Sequence, residues 1–346
     1  MNSKKAIIFF IIALLLFIGI FGAFYAYKQF SKPIIHIEGK KNAIIYIPTG
    51  ARYSDVLNNL DNNNYLTDKK VFDFFAKQKK YIDNVKAGKY ELKDGLTVNE
   101  LINMLRSGNQ KAVKVTFNNI RFLPKLAGIV SKKLELDSLD LMKLLTDETY
   151  IESIGYNKNT IISLFLPNTY EFWWNTDAIG FIKRMKVEHD KFWNNERIQK
   201  AKKINLTPTE VSILASIVQE ETNNTSEMSR IAGVYMNRLR VGMMLQADPT
   251  ARFAYGDFSV KRVKYDYLKI DSPYNTYMYK GLPPGPICMP NPITIDKVLK
   301  YEKHKYYYFC AKADNSGTHV FERNLSAHNR NARAYHRYLN RLKIRR

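Results

Sequence analysis

The longest apolar run of the chain lies at its start, where residues 6–26 carry no charged side chain and are mostly Ile, Leu and Phe. At about 1.5 Å per residue, a helix of this length spans roughly 31 Å, which matches the hydrocarbon core of a bilayer. The alternative is a cleaved signal peptide, which usually has a shorter apolar core and a small-x-small cleavage site. Neither Ala23 nor Ala26 has a small residue two places before it. The pattern therefore favours a retained transmembrane helix.

A small α/β domain is expected over residues 42–112, after a stalk of residues 27–41. Two short apolar runs bounded by turn residues predict strands, and they are separated by two stretches with helical periodicity. A third helix closes the domain, with Thr97 as its N-cap, Glu100 in the capping-box position and Gly108 just past its end. The inward-facing residues predicted for the first two helices are Val56, Leu57 and Leu60, then Val71, Phe74 and Phe75.

The rest of the chain predicts an α+β fold that is mostly helical. Residues 113–205 are expected to form a connecting α/β region, and residues 206–346 a C-terminal domain of mixed but mainly helical structure. Because residues 1–5 are a very short head and the body is large, we expect the head in the cytoplasm and the body outside.

Residues 207–222 predict a buried helix that carries a carboxylate on its apolar face. Thr207 can cap it, Pro208 suits the first turn, and Glu210 completes a capping box. At about 100° per residue, Glu221 falls inside the apolar arc. A buried carboxyl group is costly unless it has a partner or a function, and burial gives it the raised pKa of a general acid. The alternative is a solvated Glu221 at the helix end, and the helical pattern alone leaves both open.

Segments downstream of this helix are expected to form the walls of a groove. Gln246 and Asp248 lie two positions apart in a predicted extended segment, so their side chains share one side. Residues 281–287 hold three prolines and two glycines, which predicts a rigid, irregular loop of the kind that often positions binding groups. Turn chemistry is the alternative for each segment taken alone. The candidate substrate-binding residues are Gln246, Asp248, Thr250, Tyr274, Asn275 and Tyr277.

The net charge of +22 calls for an anionic partner or surface. Residues 323–346 include eight Arg or Lys side chains and no acidic one. Nucleic-acid binding is one interpretation of such a balance, but it rests on charge alone. A body outside the cytoplasm favours anionic lipid headgroups and external carboxylates, and we expect no nucleic-acid partner. A solvated basic helix end remains the alternative.

No motif predicts a metal or a cofactor. The six histidines are scattered, without His-Glu-x-x-His or paired-cysteine spacing, and there is no glycine-rich phosphate loop. His319 and His328 are candidates for the groove, with structural histidines as the alternative. Cys288 and Cys310 allow either one disulfide or two free thiols, and the sequence leaves this open.

Several long motifs resemble the endolytic murein transglycosylases, a family of inner-membrane proteins with a lysin-motif-like domain ahead of the catalytic domain. The resemblance covers nearly the whole chain, including the apolar span. The matching motifs are Leu214-Ala215-Ser216-Ile217-Val218-x-x-Glu221-Thr222, Asn237-Arg238-Leu239 with Gly242-Met243, Leu245-Gln246-x-Asp248-Pro249-Thr250, Tyr274-Asn275-Thr276-Tyr277, Gly281-Leu282-Pro283-Pro284-Gly285-Pro286-Ile287, His319-x-Phe321, His328-Asn329 and Lys86-Ala87-Gly88-x-Tyr90.

The resemblance implies a peptidoglycan lyase with Glu221 as its single catalytic acid/base. The implied reaction cleaves the bond between N-acetylmuramic acid and N-acetylglucosamine, leaves 1,6-anhydro ends and terminates nascent strands. It also implies residues 42–112 as the lysin-motif-like domain, residues 206–346 as the catalytic domain, a single-pass inner-membrane location with a periplasmic body, and peptidoglycan synthases as possible partners. Glu220 is expected to be dispensable, and Asp248 to orient substrate rather than act as a nucleophile.

A different class of function is a non-catalytic peptidoglycan-binding scaffold of the cell-wall synthesis machinery. Such a scaffold would hold glycan through the small domain and would not need an acid helix or a groove. Both motifs are intact in this sequence, which favours the enzyme.

Overall fold

The computed structural model describes residues 3–258, 265–314 and 316–341. Residues 1–2 of the expected head and residues 342–346 of the basic C-terminal segment lie outside the described residues. The fold is mixed α+β, as predicted, with small two-stranded sheets and many helices. The chain divides into two compact units. The described part of the first comprises residues 3–114, 133–135 and 171–176, and the second contains the remaining described residues.

The first unit begins with the long apolar helix that the sequence predicts. Within it, the most apolar 18-residue stretch of Ile7–Phe30 has a mean hydropathy of 3.1, and the large apolar side chains from Ile7 to Tyr27 are exposed. Among the described residues this is the one helix long and apolar enough to cross a membrane, and its length and composition fit an anchor or a signal sequence. The elements of the first unit are α1 (Ser3–Phe30), β1 (Asn42–Ile47), α2 (Tyr53–Asn62), α3 (Lys69–Gln78), β2 (Gly88–Lys93) and α4 (Val98–Ser107).

The small domain of the first unit has the predicted element order. β1 and β2 pair antiparallel, and the helices cover an apolar core. On α3, Val71 and Phe75 pack against the core as predicted, and the prediction for Phe74 is wrong. α3 buries Phe72 and Ala76, whereas Phe74 is 55% exposed. The adjacent positions 71, 72, 74, 75 and 76 are mostly apolar, so the sequence periodicity did not determine which side faces inward.

The segment expected to be a stalk is packed instead of extended into solvent. Ile34, Ile35 and Ile37 are buried in the core of the first unit. The backbone N–H of Ile34 donates to the carbonyl of Leu96 at 2.8 Å, and Ile35 forms an isolated bridge with Leu66. These residues therefore belong to the small domain, because their apolar side chains complete its core.

The second unit is built around a central helix, α10 (Pro208–Glu221). Helices α9 (Asn195–Lys203), α11 (Met228–Arg240), α12 (Asp248–Tyr255) and α13 (Pro292–Leu299) pack against α10, and their apolar residues form one core. The remaining elements are β3 (Val113–Phe117), α5 (Leu123–Ser131), α6 (Ser138–Thr146), α7 (Glu148–Ser153), a 3₁₀ helix (Ile161–Leu164), β4 (Asn168–Phe172), α8 (Ala178–Phe192), a second 3₁₀ helix (Tyr265–Lys269), β5 (Tyr308–Ala311), β6 (His319–Glu322) and α14 (Leu325–Arg341).

Candidate active site

The candidate acid helix, α10, begins as the sequence predicts. The backbone N–H of Glu210 donates to Thr207 Oγ1 at 3.2 Å, and Glu210 Oε2 accepts from the Thr207 N–H at 2.7 Å. Every residue from 211 to 219 is buried, so α10 is enclosed on all sides rather than amphipathic. Its last residue is Glu221, which places the acid where the helix leaves the core.

Glu221 lines a cavity of about 440 Å³. The Tyr235 hydroxyl donates to Glu221 Oε1 at 2.5 Å. Burial raises the pKa of Glu221 to about 7, and the charge of Asp248 acts in the same direction. The hydrogen bond from Tyr235 and the charges of Arg238 and Arg252 lower this pKa and offset part of the shift. A carboxyl group with a pKa near 7 can give up and take back a proton under physiological conditions.

Tyr235 is the closest partner of the candidate acid, and the sequence analysis missed it. Its hydroxyl stays a donor, because burial and the neighbouring Glu221 raise the pKa of Tyr235 well above 10. The residue lies in the interior of α11, fourteen positions after Glu221, where a tyrosine in a helical pattern usually indicates core packing. No signal in the sequence separates this tyrosine from a purely structural one.

Of the predicted substrate-binding residues, Gln246, Asp248 and Tyr277 line the same cavity as Glu221. The Tyr277 hydroxyl donates to Asp248 Oδ1 at 2.5 Å. The predicted extended segment is wrong, however. Gln246 has a φ of 47°, and Asp248 is the first residue of α12. A left-handed residue followed by a helix start brings the two side chains to one cavity without strand alternation.

Three predicted wall residues do not line this cavity. Thr250 is fully buried, and its hydroxyl donates to the Ala247 carbonyl at 2.7 Å. Asn275 is also fully buried, and its amide donates to the Ile270 carbonyl at 2.8 Å. Tyr274 packs its ring 4.8 Å from that of Phe253. These side chains hold the segments that carry Asp248 and Tyr277. Thr250 and Asn275 are too deeply buried for direct substrate contact, whereas the role predicted for half-buried Tyr274 stays a prediction.

Another part of the cavity wall contains residues from α11 and from the segment 308–329. Arg238 is 6% exposed; its Nη1 donates to the Leu245 carbonyl at 2.5 Å, and its guanidinium carbon lies 5.3 Å from the centre of the Tyr308 ring. His319 lines the cavity and makes a 2.9 Å contact from Nδ1 to Glu227 Oε2. The other residues on this wall are Tyr308, Phe309, Cys310, Ala311, Leu325, His328 and Asn329.

Comparisons with known proteins identify the family of this chain. The sequence model of the YceG-like family matches residues 45–334. The chain belongs to the YceG-like family. It is 30% identical over 329 residues to the endolytic murein transglycosylase of Bacillus subtilis, covering 91% of this chain and 90% of that protein.

Two further relatives are more distant. An endolytic murein transglycosylase of Streptococcus pneumoniae is 27% identical, and the match covers 93% of this chain but 64% of the longer relative. The crystal structure of a YceG-like protein from Listeria monocytogenes superposes with a TM-score of 0.58 at 27% identity, covering 84% of this chain and 99% of that one.

The proline-rich loop of this YceG-like chain supports the site from behind and does not form a groove wall. Most of the loop is buried, and the Ile287 N–H donates to Ser216 Oγ on α10 at 3.0 Å. A side chain at Gly285 would place its Cβ 2.0 Å from the Asn159 carbonyl oxygen. The loop therefore braces α10, and its prolines and glycines serve close packing.

Glu220, the neighbour of the candidate acid, faces a different environment. Its carboxylate binds the guanidinium groups of Arg121 and Arg252, the second at 3.1 Å. Cys288 and Cys310 are both free thiols. Within the described ranges, no group of three or more His, Cys, Asp or Glu side chains is arranged to hold a metal ion.

Proposed function

We propose that this chain is an endolytic lytic transglycosylase, a lyase that cuts peptidoglycan strands with Glu221 as its acid/base. The observation that carries the proposal is the carboxyl group of Glu221, which lines a cavity and has its pKa raised to about 7 by burial. The names of the Bacillus and Streptococcus relatives support the same activity.

The proposed reaction needs one carboxyl group and no water. Protonated Glu221 donates its proton to the oxygen between N-acetylmuramic acid and N-acetylglucosamine, and the bond from that oxygen to C1 breaks. The 6-hydroxyl of the muramic acid then attacks C1, and the Glu221 carboxylate takes the hydroxyl proton. The product ends in a 1,6-anhydro ring, and the enzyme returns to its protonated form. Hydrolytic glycosidases instead use a pair of carboxylates.

The neighbouring side chains fit supporting roles. Tyr235 stabilises the carboxylate that forms midway, because its hydrogen bond favours the charged state of Glu221. Asp248, held by Tyr277, would orient sugar hydroxyls together with Gln246. Thr250, Tyr274 and Asn275 would position these groups from the buried side.

Glu220 is not a suitable second carboxylate for a hydrolytic mechanism. Its side chain is 7% exposed and is neutralised by Arg121 and Arg252.

The N-terminal helix fits a membrane anchor that keeps the body on the extracytoplasmic side of the inner membrane. Residues 42–112 would form a lysin-motif-like domain that holds glycan, residues 113–205 a connecting region and residues 206–346 the catalytic domain. Cleavage at the membrane would terminate nascent strands, which suggests peptidoglycan synthases as partners.

The deciding experiment incubates the full chain in detergent micelles with purified glycan strands and analyses the products by mass spectrometry. We expect internal cuts that leave 1,6-anhydro ends. Reducing ends would refute the lytic mechanism and would give Asp248 a nucleophilic role.

Glu221→Gln is the matched variant, because it keeps the shape of the side chain. We expect cleavage to fall by about 10²–10⁴-fold, the usual contribution of a general acid. Undiminished cleavage would remove Glu221 from its role. Tight glycan binding without any cleavage by the wild type would instead favour the non-catalytic scaffold.

A further inference from the structure

A second cavity, of about 410 Å³, lies on the other side of the last turn of α10. Glu220 and Thr222 line it, whereas Glu221 between them lines the first cavity. Successive residues of a helix point about 100° apart, so adjacent positions serve the two cavities. The two cavities therefore both reach the end of α10, where Glu220, Glu221 and Thr222 follow one another.

The second cavity carries an excess of positive charge. Arg121 and Arg252 both bind the single carboxylate of Glu220. Their guanidinium carbons lie 4.7 and 5.8 Å from the centre of the Phe258 ring, so both groups are stacked as well as paired. Two guanidinium groups against one carboxylate leave a net charge of about +1 in a partly desolvated site.

One donor in this cluster has no partner. Arg252 Nε is buried and makes no hydrogen bond to any part of the chain that the structure describes. Guanidinium groups bind carboxylates through two parallel N–H donors, and a cluster with a spare donor and spare charge fits one further carboxylate.

The floor of the second cavity is polar and fixed in place. Gln219 is 8% exposed; its Oε1 accepts from the Asn291 N–H at 2.6 Å, and its Nε2 donates to the Met289 carbonyl at 3.2 Å. Asn119 Nδ2 donates to Glu220 Oε1 at 3.2 Å. Further contacts to Asn119 and Thr294 use the remaining hydrogen-bonding capacity of the Gln219 amide, so Gln219 fixes the floor, and the exposed amide of Asn119 is the one that a peptide could reach.

Peptidoglycan has an anionic branch at the required place. Each N-acetylmuramic acid carries, on its C3 oxygen, a lactyl group extended by a short peptide with free carboxylates. If C1 of this sugar lies at Glu221, the peptide leaves from the same ring. We propose that the second cavity binds the peptide stem of the muramic acid at the cut, with Arg121 and Arg252 pairing with a stem carboxylate. This inference rests on the proposed function.

The test compares two substrates with the full chain in detergent micelles. One is glycan strands that bear peptide stems, and the other is the same strands after an amidase has removed the stems. We expect the wild type to prefer stem-bearing strands in kcat/KM. Arg121→Ala should lower that preference by about ten-fold, mainly through KM, because a charge-assisted hydrogen bond is lost. Arg121→Lys keeps the charge without the two-donor geometry and should retain part of the preference.

Arg184→Ala is the matched control, because it also breaks an ion pair of an arginine with a glutamate, Glu188, on the surface of the second unit. Its substrate preference should equal that of the wild type. If Arg121→Ala does not fold, Arg121→Lys decides: a reduced preference supports the stem site, and an unchanged one refutes it.

The remaining outcomes separate this inference from the proposed function. Equal cleavage of both substrates by the wild type, or an equal loss on both in Arg121→Ala, overturns the stem site while leaving the lytic activity in place. Cleavage of neither substrate by the wild type contradicts the proposed function itself.

Discussion

Helices α4 and α10 begin in the same way and end in different environments. Both start with a capping box, made by Thr97 and Glu100 in α4 and by Thr207 and Glu210 in α10, with both reciprocal hydrogen bonds present. α4 buries one face, whereas α10 is buried at every residue from 211 to 219. Local sequence therefore determines where each helix begins. The packing around the helix determines the environment of the side chains at its C-terminal end.

The two C-terminal ends show this difference in their charges. α4 has Arg106 in its last turn and is followed by the C-cap residue Gly108, whose φ is 74°. This is the usual arrangement, since a helix C-terminus favours cations. α10 ends in Glu220 and Glu221, with no basic residue in its last turn. Arginines from elsewhere neutralise Glu220, whereas burial leaves Glu221 with a raised pKa.

The largest effect expected from this difference is a loss of activity with rising pH. The proposed reaction begins with protonated Glu221, whose pKa is about 7. We expect kcat/KM to fall about ten-fold per pH unit above 7, or about 100-fold at pH 9. Tyr235→Phe removes a hydrogen bond that lowers this pKa, so the alkaline limb should move to higher pH. An alkaline limb that stays in place in Tyr235→Phe would contradict this assignment.

The next effect is on stability, because an ionised Glu221 is destabilising where it is buried. A pKa raised from 4.5 to about 7 corresponds to roughly 3 kcal/mol of lost stability once both the folded and unfolded states are ionised. This loss develops between pH 4.5 and 7, so Glu221→Gln should raise the melting temperature at pH 8 and change it little at pH 5.

Glu220→Gln is the control for that measurement and should have the opposite sign. Its carboxylate is paired with Arg121 and Arg252, so its loss leaves two cations without an anion and lowers the melting temperature. Equal shifts in the two variants would show that the ends of the two side chains share one environment.

A smaller difference is expected between two serines that make the same local bond. Ser216 Oγ donates to the Ile213 carbonyl at 2.7 Å, and Ser107 Oγ donates to the Met104 carbonyl at 3.1 Å. Ser216 also accepts from the buried Ile287 N–H. Ser216→Ala should therefore cost about 1–3 kcal/mol in the free energy of unfolding, and exposed Ser107→Ala less than about 0.5 kcal/mol. Thermal unfolding of both variants measures this, and equal losses would contradict it.

The smallest effect is the loss of stability on removing an N-cap threonine, and it should be the same in α4 and α10. Thr97→Ala and Thr207→Ala each remove an N-cap oxygen, and each should cost about 1 kcal/mol. Amide hydrogen exchange in the first turn of α4 and of α10 would report each loss locally. A much larger loss at Thr207 would mean that the start of α10 also depends on its surroundings.

The sequence predicted the features that depend on neighbouring residues. The starts of α4 and α10 follow from Thr-x-x-Glu spacing, whereas helical periodicity left open whether Glu221 faces inward or is solvated. Each helix start needs only a few adjacent residues, so no knowledge of the tertiary fold is required.

The features that depend on distant contacts were wrong or missed. Thr250 and Asn275 have side chains that suit sugars, but the same oxygens and amides also bind buried carbonyls, and the fold uses them in that way. Gln246 adopts a φ of 47°, which strand alternation does not anticipate. Tyr235 reaches Glu221 only because α11 packs on α10. Such roles follow from packing between elements, which the sequence pattern does not encode locally.

The packed segment after α1 has a consequence for where the small unit can work. Only residues 31–33 separate the end of α1 from buried Ile34, and the Phe30 ring already lies 5.1 Å from that of Phe75. Three extended residues reach about 10 Å. With α1 retained in the bilayer, the tether would be too short for the unit to search the outer layers of the wall. The effective concentration of the small unit would be high for strands newly made at the membrane surface. It would fall steeply with distance from that surface.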